Sequence, residues 1–371
     1  MVPSKDRQIR MRKWQAAVAI GSSVTGILFA LCLSIQAQQT AAGTAPGWFD
    51  PANWKTHTVT ETDNIVYATV PLIHNQSAAA SRDPGLPRGI RSPVPNTGPP
   101  GTMDLHLDVY QVASSKLTPV VIQLHGGGWI RGDRPDSSRS FGPFFAAGAS
   151  VVAVQYRNAI DAPAPAAVED VRCAMAWVKT NAKKYNFDPN RMITWGGSAG
   201  GHLALMAAYA PASFTPKTCS DQPKVAAVLD DYGPTNLAEG LTQHGSMDFT
   251  HQWLGLDLPL PPAASSEEAT GRPPAPRWPE PSAELLAKGK AMSPLTYVRP
   301  GLPPTFIVNG DSDHTVDPSQ SAELKKALDD AHVPNGRYIV PGGGHGNFSP
   351  EEQKKSILLS LEFLQAHGAI D

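Results

Sequence analysis

The sequence predicts an α/β protein built on a mostly parallel, doubly wound sheet. Short runs rich in valine and other apolar residues recur along the chain, as in strands that are buried on both faces of a parallel sheet. Segments with the apolar spacing of amphipathic helices separate these runs. Strands and helices therefore alternate, which favours one sheet with helices on both faces and right-handed crossovers.

The strands are predicted in chain order from their apolar residues. Between Asp104 and Tyr110 apolar and polar residues alternate, which predicts a strand with one buried face and one exposed face. The later runs are nearly continuous and predict buried strands. They cover Pro119–Leu124, Ser150–Gln155, Arg191–Trp195, Lys224–Leu229, Thr305–Val308 and Arg337–Val340.

Four helices are predicted between and after these strands. The first follows the prolines at 163 and 165, repeats apolar residues three and four positions apart, and ends near Tyr185. The second begins just after Ser198. The other two cover about 318–331 and 349–367.

The composition limits the class of protein. The 371 residues are 41% hydrophobic and 17% charged, which excludes a disordered tail and a coiled coil. Lys and Arg number 31 against 33 Asp and Glu; five of the bases and one of the acids lie in residues 1–37. The rest of the chain is therefore acidic, which argues against a nucleic-acid-binding protein that depends on phosphate contacts.

The N-terminal segment is predicted to direct export. Residues 1–14 are basic, and residues 16–35 are uncharged and mostly apolar, shortly before the small residue Ala37. This pattern is typical of a secretory signal peptide over residues 1–37, and an uncleaved membrane anchor is the alternative. In both cases the body of the protein is expected outside the cytoplasm, secreted or periplasmic, and it contacts the membrane only if the segment stays uncleaved.

A proline-rich insertion interrupts the alternation of strands and helices. Residues 236–292 contain Trp253, Trp278 and eight prolines. They are predicted to form a cap over the sheet edge, and a disordered loop over 259–281 is the alternative. The predicted organisation is a signal or anchor at 1–37, an N-terminal segment at 38–103 with a disordered-like insertion at 75–101, the cap at 236–292, and one α/β domain from 104–235 and 293–371.

Two cysteines remain in the body, Cys173 and Cys219. In an oxidising compartment they could pair, although two cysteines do not make a disulfide framework. Cys173 lies in a predicted helix, where a small buried apolar residue is the alternative interpretation.

A nucleophile motif stands between a predicted strand and a predicted helix. Residues 196–200 are Gly-Gly-Ser-Ala-Gly, with Ser198 at the centre. A sharp strand-turn-helix lifts a serine hydroxyl out of the sheet edge, and the flanking residues must be small because backbone segments crowd there. Ser198 would also lie at a helix N-terminus, where the dipole favours developing negative charge. The pentapeptide alone is a weak signal, and its setting strengthens it.

A glycine-rich turn, His125-Gly-Gly-Gly-Trp129, follows the strand Pro119–Leu124. Backbone N–H groups in such a turn can stabilise the oxyanion of an acyl-transfer intermediate. A phosphate-binding loop is the alternative, but it would place Lys and then Ser or Thr after the glycines. Trp129-Ile130 stands there instead, so the oxyanion interpretation is preferred.

Two further polar residues follow late strands. Asp313 and His345 come after the strands ending at Val308 and Val340, at the edge where open α/β sheets bind ligands. A serine nucleophile needs an imidazole base, and the imidazole needs a carboxylate to orient it. The order Ser, Asp, His along the chain is one of three known orders of such a triad.

Neighbouring titratable residues have structural interpretations. Asp311, Asp313 and His314 lack the spacing of zinc ligands, so no metal and no cofactor is predicted. Asp311 is expected to hold its turn, while Asp313 is expected to be the acid. His202 is expected to pack or to form a structural hydrogen bond.

Together these motifs resemble the α/β-hydrolase superfamily, in the esterase and lipase branch that includes hormone-sensitive-lipase-like esterases and feruloyl and acetyl esterases. Asn309-Gly310 stands where that family often has His-Gly, a position that is expected to be structural. The resemblance covers about residues 104–235 and 292–366, and its motifs are 107–110, 125–129, 152–157, 163–172, 196–202, Asp313 and His345.

This resemblance implies a serine esterase mechanism. Ser198 would be the nucleophile, His345 the general base and Asp313 its orienting acid. The oxyanion would be held by the backbone N–H groups of Gly127, Gly128 and Ala199.

The expected protein is an exported carboxylic-ester hydrolase for short acyl esters or carbohydrate-linked acyl esters such as acetyl and feruloyl groups. Its insertion lacks the broad apolar face of an interfacial lipase lid. Trp129, Trp253 and Trp278 are expected to bind substrate at a pocket rim, or else to pin the cap to the body. An amidase or peptidase such as an arylformamidase is the first alternative, and a non-catalytic binding module is the second.

Overall fold

The structure is a computed structural model that describes residues 57–73, 98–135, 140–219, 222, 224–242, 248–255 and 280–371. The predicted targeting segment at 1–37, Trp278, most of the insertion at 75–101 and nearly all of the proline-rich stretch 259–281 lie outside these ranges. Within them, every helix is too short or too polar to cross a lipid bilayer.

The described residues contain one sheet of eight strands in the order β1-β2-β4-β3-β5-β6-β7-β8. β1 pairs with β2 and β2 with β4 in antiparallel fashion, and the other neighbours are parallel. This architecture confirms the predicted class. The strands are β1 (Val59–Pro71), β2 (Thr102–Val112), β3 (Thr118–Leu124), β4 (Ser150–Val154), β5 (Phe187–Gly197), β6 (Val225–Asp231), β7 (Thr305–Gly310) and β8 (Asn335–Val340).

The helices connect these strands, and three of them begin where the sequence provides a side-chain cap. The side chains of Ser282, Asp317 and Ser349 each accept a hydrogen bond from a backbone N–H of the first turn that follows. The helices are α1 (Gly142–Ala146), α2 (Ala166–Thr180), α3 (Ala199–Tyr209), α4 (Leu237–Gly240), α5 (Asp248–Trp253), α6 (Ala283–Ala291), α7 (Pro318–Asp330) and α8 (Pro350–Ala366).

The core lies on both faces of the central strands. Every residue of β3 and β4 is buried, as expected for strands covered by helices on each side. Helix α3 is buried around most of its circumference, which explains its almost wholly apolar sequence. Ser198 immediately precedes this helix, so the candidate nucleophile stands at the N-terminus of a helix that is fixed in the core.

Two burial expectations are wrong. The polar face of β2 is buried, because residues distant in sequence supply its partners: Arg134 Nε lies 3.5 Å from Asp108 Oδ1, and Nδ1 of His106 lies 3.3 Å from Gln155 Oε1. Residues 337–340 are only partly buried, because β8 is the last strand of the sheet and has a neighbour on one side only.

The structure pairs Cys173 with Cys219 in a disulfide. The bridge joins α2 to a short 3₁₀ turn and encloses a segment that includes β5 and α3. Next to it, the guanidinium of Arg172 donates to the carbonyls of Ala207 and Ala210 near the end of α3. The C-terminal end of the helix that follows Ser198 is therefore fixed to α2.

Candidate active site

Ser198 lies on a tight turn between β5 and α3. Its backbone has φ 57° and ψ −124°, a conformation that costs energy for any residue other than glycine. Its N–H donates to the carbonyl of Asp231 at 2.8 Å. The turn is thus held in a strained geometry by the neighbouring strand β6.

The glycines around Ser198 are required by close backbone approach. A Cβ at Gly196 would lie 2.5 Å from the carbonyl carbon of Gly200, and one at Gly200 would overlap the carbonyl oxygen of Leu124. No side chain fits at either position. This crowding is the physical reason why the motif has small residues on both sides of the serine.

The structure brings Ser198, His345 and Asp313 together in one hydrogen-bonded series. Nε2 of His345 lies 2.8 Å from Ser198 Oγ, and Nδ1 lies 2.8 Å from Asp313 Oδ2. An ionised carboxylate only accepts hydrogen bonds, so Nδ1 carries the ring proton and Nε2 is left to accept from the serine hydroxyl. This arrangement can remove the serine proton.

The two aspartates of the β7 loop have separate positions. Oδ1 of Asp313 accepts from the N–H groups of Thr315 and Val316, at 2.8 and 3.0 Å, so its other oxygen is directed at His345. Asp311 instead accepts from the N–H of Gly342 at 2.7 Å. Asp313 therefore orients the imidazole, while Asp311 holds the loop that carries it.

The glycine-rich turn after β3 packs against the serine turn. Gly127 and Gly128 have φ of 116° and 62°, values that favour glycine. A Cβ at Gly126 would lie 3.0 Å from the carbonyl oxygen of Gly197. The backbone at Gly127 and Gly128 and the first N–H of α3, at Ala199, thus come to the same edge of the sheet as Ser198.

Phe249 of the insertion covers this turn. A Cβ on Gly128 would lie 2.6 Å from Cγ of Phe249, and the guanidinium carbon of Arg131 lies 5.5 Å from the centre of the phenyl ring. The sequence analysis missed Phe249, because it stands in a segment with no motif and no regular apolar spacing. Its contact fixes helix α5 directly over the turn.

The expected place of Trp129 at a pocket rim is wrong. Trp129 is only 2% exposed and Trp253 is fully buried. Their rings stack at 4.6 Å, and His202 meets both edge-on at about 5 Å. The indoles therefore pin helix α5 of the insertion to the turn, which was the alternative interpretation. Trp278 lies outside the described residues.

His202 has the structural position expected for it. It is fully buried, and its Nε2 lies 2.7 Å from the carbonyl oxygen of Met292, to which it donates. Burial lowers the pKa of His202 to about 4, although the hydrogen bond to Met292 opposes the shift. The imidazole is therefore neutral at physiological pH and ties the start of α3 to the end of α6.

A second buried acid lies at the end of β6. Asp230 is fully buried, and its Oδ1 accepts from the N–H of Gly233 at 2.9 Å. Burial, with a smaller effect from Asp231, raises the pKa of Asp230 well above its usual range. A Cβ at Gly201 would clash with this carboxyl group, so Asp230 supports the first turn of α3.

Tyr232 borders the histidine on the other side. Its φ is 47°, and its ring centre lies 4.9 Å from that of His345 and 5.7 Å from that of Phe348. A Cβ at Gly346 would lie 2.6 Å from the tyrosine hydroxyl. The sequence analysis missed Tyr232, because nothing in a sequence marks a non-glycine residue with positive φ.

Within the described ranges, no group of three or more His, Cys, Asp or Glu residues is placed to hold a metal ion.

Comparison with protein families and curated proteins identifies relatives of this chain. The family model BD-FAE matches residues 107–328, more than half of the chain. Esterase LipQ of Mycobacterium tuberculosis is 28% identical over 290 residues, which are 75% of this chain and 60% of LipQ. The probable carboxylic ester hydrolase LipM of the same organism is 29% identical over 58% of this chain and 47% of LipM. The matches thus span about half to three fifths of these relatives.

Solved structures share the architecture. A truncated carbohydrate esterase from gut microbiota covers 83% of this chain and 97% of its own, with a TM-score of 0.59 and 24% identity, a likeness of fold alone. Esterase 2 of Thermogutta terrifontis with butyrate bound is 25% identical, with a TM-score of 0.55, over 72% of this chain and 91% of that one. The α/β-hydrolase architecture is therefore common to this chain and these esterases.

Proposed function

The chain belongs to the BD-FAE family, which is of the α/β-hydrolase esterase type, and we propose that it is an exported serine carboxylic-ester hydrolase that works through an acyl-enzyme. The observation that carries this proposal is the series of two 2.8 Å hydrogen bonds from Asp313 through His345 to Ser198. This is the geometry in which an imidazole activates a serine. The esterase names of the relatives support the same class of reaction.

Acylation follows from the position of each group. Nε2 of His345 takes the proton of Ser198 as Oγ attacks the ester carbonyl, and the carboxylate of Asp313 stabilises the imidazolium that forms. The oxyanion lies against the backbone N–H groups of Gly127, Gly128 and Ala199, which are fixed before substrate arrives. His345 then gives its proton to the leaving oxygen, and the alcohol departs.

Deacylation uses the same groups in reverse. His345 takes a proton from water, whose oxygen attacks the acyl-enzyme, and then returns that proton to Ser198 Oγ as the carboxylic acid leaves. No cofactor is needed for either half of the reaction. The acid and the alcohol are released in separate steps.

The direct test is chemical labelling with an activity assay. The wild-type protein should hydrolyse a chromogenic acetyl ester, and a fluorophosphonate probe should attach to one residue, Ser198, as mapped by mass spectrometry. Asp311→Asn is the control and should still be labelled, since Asp311 holds a loop and does not touch His345. Labelling at any other serine, or no labelling together with no ester turnover, contradicts the proposal.

Short acyl groups, including those linked to carbohydrate, are the proposed substrates. Phe249 lies directly over the glycine turn, and the insertion has few contiguous aliphatic residues with which to dock on lipid. The 25%-identical Thermogutta esterase was solved with butyrate, a short acid. The test compares kcat/KM for acetyl, butyryl and long-chain esters and for acetylated or feruloylated xylan fragments. Higher efficiency on long chains excludes short-acyl specificity, and no activity on the fragments removes carbohydrate from the proposal.

Export rests on the N-terminal sequence. Its basic residues and the uncharged apolar segment that follows are typical of a signal peptide, and the pairing of Cys173 with Cys219 suits an oxidising compartment. Cell fractionation should find the activity outside the cytoplasm. Full-length soluble protein in the cytoplasm contradicts this part of the proposal.

A further inference from the structure

A cavity of about 320 Å³ lies at the N-terminal ends of β6 and β7. Its walls include Val225 at the start of β6, Leu302 and Pro303 just before β7, and the C-terminal end of α3. Helix α3 is 11 residues long and begins directly after Ser198, so its length separates the cavity from the serine by about 16 Å. The cavity is therefore distinct from the site of the proposed reaction.

The side chains of Arg172, Lys224 and Arg299 make this cavity cationic, and the other described residues in its walls are uncharged. In the whole chain, by contrast, acidic residues outnumber basic ones by 33 to 31. Like charges close together raise the energy of the folded protein, and an anion bound between them would lower it. The cavity therefore has the electrostatic character of a site for a negatively charged ligand.

Arg172 is buried without a carboxylate partner among the described residues. It is only 5% exposed. Its Nη1 and Nη2 atoms donate to neutral oxygens, which are the carbonyls of Ala207, Ala210 and Pro211 and the hydroxyl of Thr215. Burial, with a smaller effect from the charge of Arg299, lowers the pKa of Arg172 to about 10. The guanidinium is therefore still charged at neutral pH, and these contacts fix its position.

The other two buried arginines of the described residues each contact a carboxylate. Nη2 of Arg157 lies 2.7 Å from Asp170 Oδ1, and Nη1 of Arg134 lies 3.0 Å from Asp133 Oδ1. Burying a charge is costly, and buried charges in proteins are usually paired. The contrast points to a counter-ion for Arg172 that the described residues do not supply.

Helix α3 offsets only part of the positive charge. Carbonyls at or just beyond its C-terminal end accept hydrogen bonds from both Arg172 and Arg299. The C-terminus of a helix carries about half of one negative charge, whereas two guanidinium groups carry about two positive charges. More than one positive charge therefore remains at the cavity.

Arg299 has hydrogen-bond donors left for an anion. Its Nη1 donates to the carbonyls of Tyr209 and Tyr297, at 2.7 and 2.9 Å, which fixes the plane of the guanidinium. Its Nε and Nη2 make no hydrogen bond within the described part of the chain, and the side chain is exposed at the cavity wall. Two parallel N–H groups on one guanidinium match two oxygens of an oxyanion.

We propose that this cavity is an anion-binding site, remote from the proposed triad, for a dianionic oxyanion such as a phosphate or sulfate group. Nε and Nη2 of Arg299 donate to the oxyanion, Lys224 adds a second cation, and the charge of Arg172 attracts it from the wall. A dianion balances these charges better than a carboxylate does. The volume is that of a small-molecule pocket, about 300–1,000 Å³, so it also has room for an organic group attached to the oxyanion. This inference goes beyond the proposed function and does not depend on it.

The test is calorimetric titration of the purified protein with inorganic phosphate and with sulfate, at constant ionic strength in chloride. Wild type should bind one equivalent, and the two affinities show which oxyanion is preferred. Acetate, with one charge, should bind at least about tenfold more weakly. Arg299→Gln should weaken phosphate binding about tenfold, as for a lost hydrogen bond between charged groups. Lys224→Gln should weaken it about threefold, because an exposed charge contributes less.

Lys183→Gln is the matched control, because Lys183 is an exposed lysine outside the cavity walls. It removes the same charge and should leave the phosphate affinity within about twofold of wild type. All three variants should keep the wild-type rate of ester hydrolysis, so the titration tests the anion site alone. The site is overturned if wild type binds neither ion saturably, or if both cavity variants bind phosphate as tightly as wild type. Equal losses in Lys183→Gln and Lys224→Gln also overturn it, since the ion would then respond only to net charge.

Discussion

The two sides of Ser198 are built differently. On the side of the glycine turn, Phe249 presses on Gly128 and stacked indoles hold the insertion in place. On the histidine side, Tyr232 borders a cavity of about 370 Å³. Stabilising an oxyanion requires N–H groups that do not move during the reaction, and the tightly packed side is the one that carries the glycine turn. The packing of the glycine turn therefore matches the oxyanion role proposed for it.

The difference also shows what the insertion contributes. Its helix α5 supplies Phe249 and Trp253, which contact Gly128 and Trp129 of the glycine turn. The cavity on the histidine side is lined by residues of strands β5, β6 and β7, of helices α1 and α8, and of the loops after β6 and β8. The insertion therefore acts on the turn through packing, and the sheet edge shapes the opposite side.

The largest effect on activity is expected from removing the hydroxyl of Ser198, the residue that lies between the two sides. Ser198→Ala should lower kcat for a short-chain ester by about six orders of magnitude, as loss of a triad nucleophile commonly does. The fold should persist, because the N–H of Ser198 and not its side chain bonds to Asp231. Circular dichroism and steady-state kinetics are the measurements. Retention of more than a few per cent of activity contradicts the assignment of Ser198.

The next effect tests the histidine side. Asp313→Asn should reduce kcat by about four orders of magnitude, because an amide favours the wrong imidazole tautomer. Asp311→Asn is the matched control in the same loop and should cost far less, since Asp311 contacts Gly342 and not the ring. A larger loss for Asp311→Asn would show that the wrong carboxylate has been assigned.

Much of this arrangement could be predicted from the sequence, because its determinants are local. The serine turn needs small residues around Ser198, and Asp313 and His345 follow strands whose ends meet at one edge of the sheet. Chain order and residue type were therefore sufficient to predict that these three side chains meet. The parallel architecture likewise follows from the alternation of valine-rich runs and helical segments.

The incorrect expectations depend on contacts between distant segments. Trp129 looks exposed beside three glycines, but Trp253 of the insertion stacks on it and His202 packs against it edge-on. The polar face of β2 looks solvated until Arg134 covers Asp108. Tyr232 carries no local signal of its positive φ. Burial and backbone conformation at these residues depend on tertiary packing, which the apolar spacing along one segment cannot predict.

A third prediction tests whether the packing of the turn matters. Gly128→Ala adds a Cβ at φ 62° that would lie 2.6 Å from Phe249, so the turn must move and displace a proposed oxyanion donor. Loss of such a donor lowers kcat by about 10²–10³. The control is Gly148→Ala, which has a similar φ of 73° but nothing within 4 Å of the new Cβ. The control should keep its kcat, and full activity in Gly128→Ala would contradict the rigid-turn explanation.

The smallest effect concerns stability on the packed side. His202 touches both Trp129 and Trp253, and burial lowers its pKa to about 4 from the usual 6.5. Below pH 6.5 the unfolded chain binds a proton at His202 that the folded protein does not bind. The contribution of neutral His202 to the free energy of unfolding is therefore nearly complete above pH 6.5 and is lost as the pH falls towards 4.

This linkage predicts a difference between two proteins. Between pH 7 and 4.5 the free energy of unfolding of the wild type should fall by about 2–3 kcal/mol more than that of His202→Gln, as measured by urea denaturation. Glutamine keeps an N–H for Met292 but does not titrate, and the carboxylates that also respond to acid are common to both proteins. Between pH 7 and 8 the two curves should diverge by only about 0.2 kcal/mol, because folded His202 stays neutral there and the unfolded chain loses only its last fraction of a proton. Equal losses down to pH 4.5 would mean that His202 takes up a proton in the folded protein, and that the aromatic packing around it admits a charge.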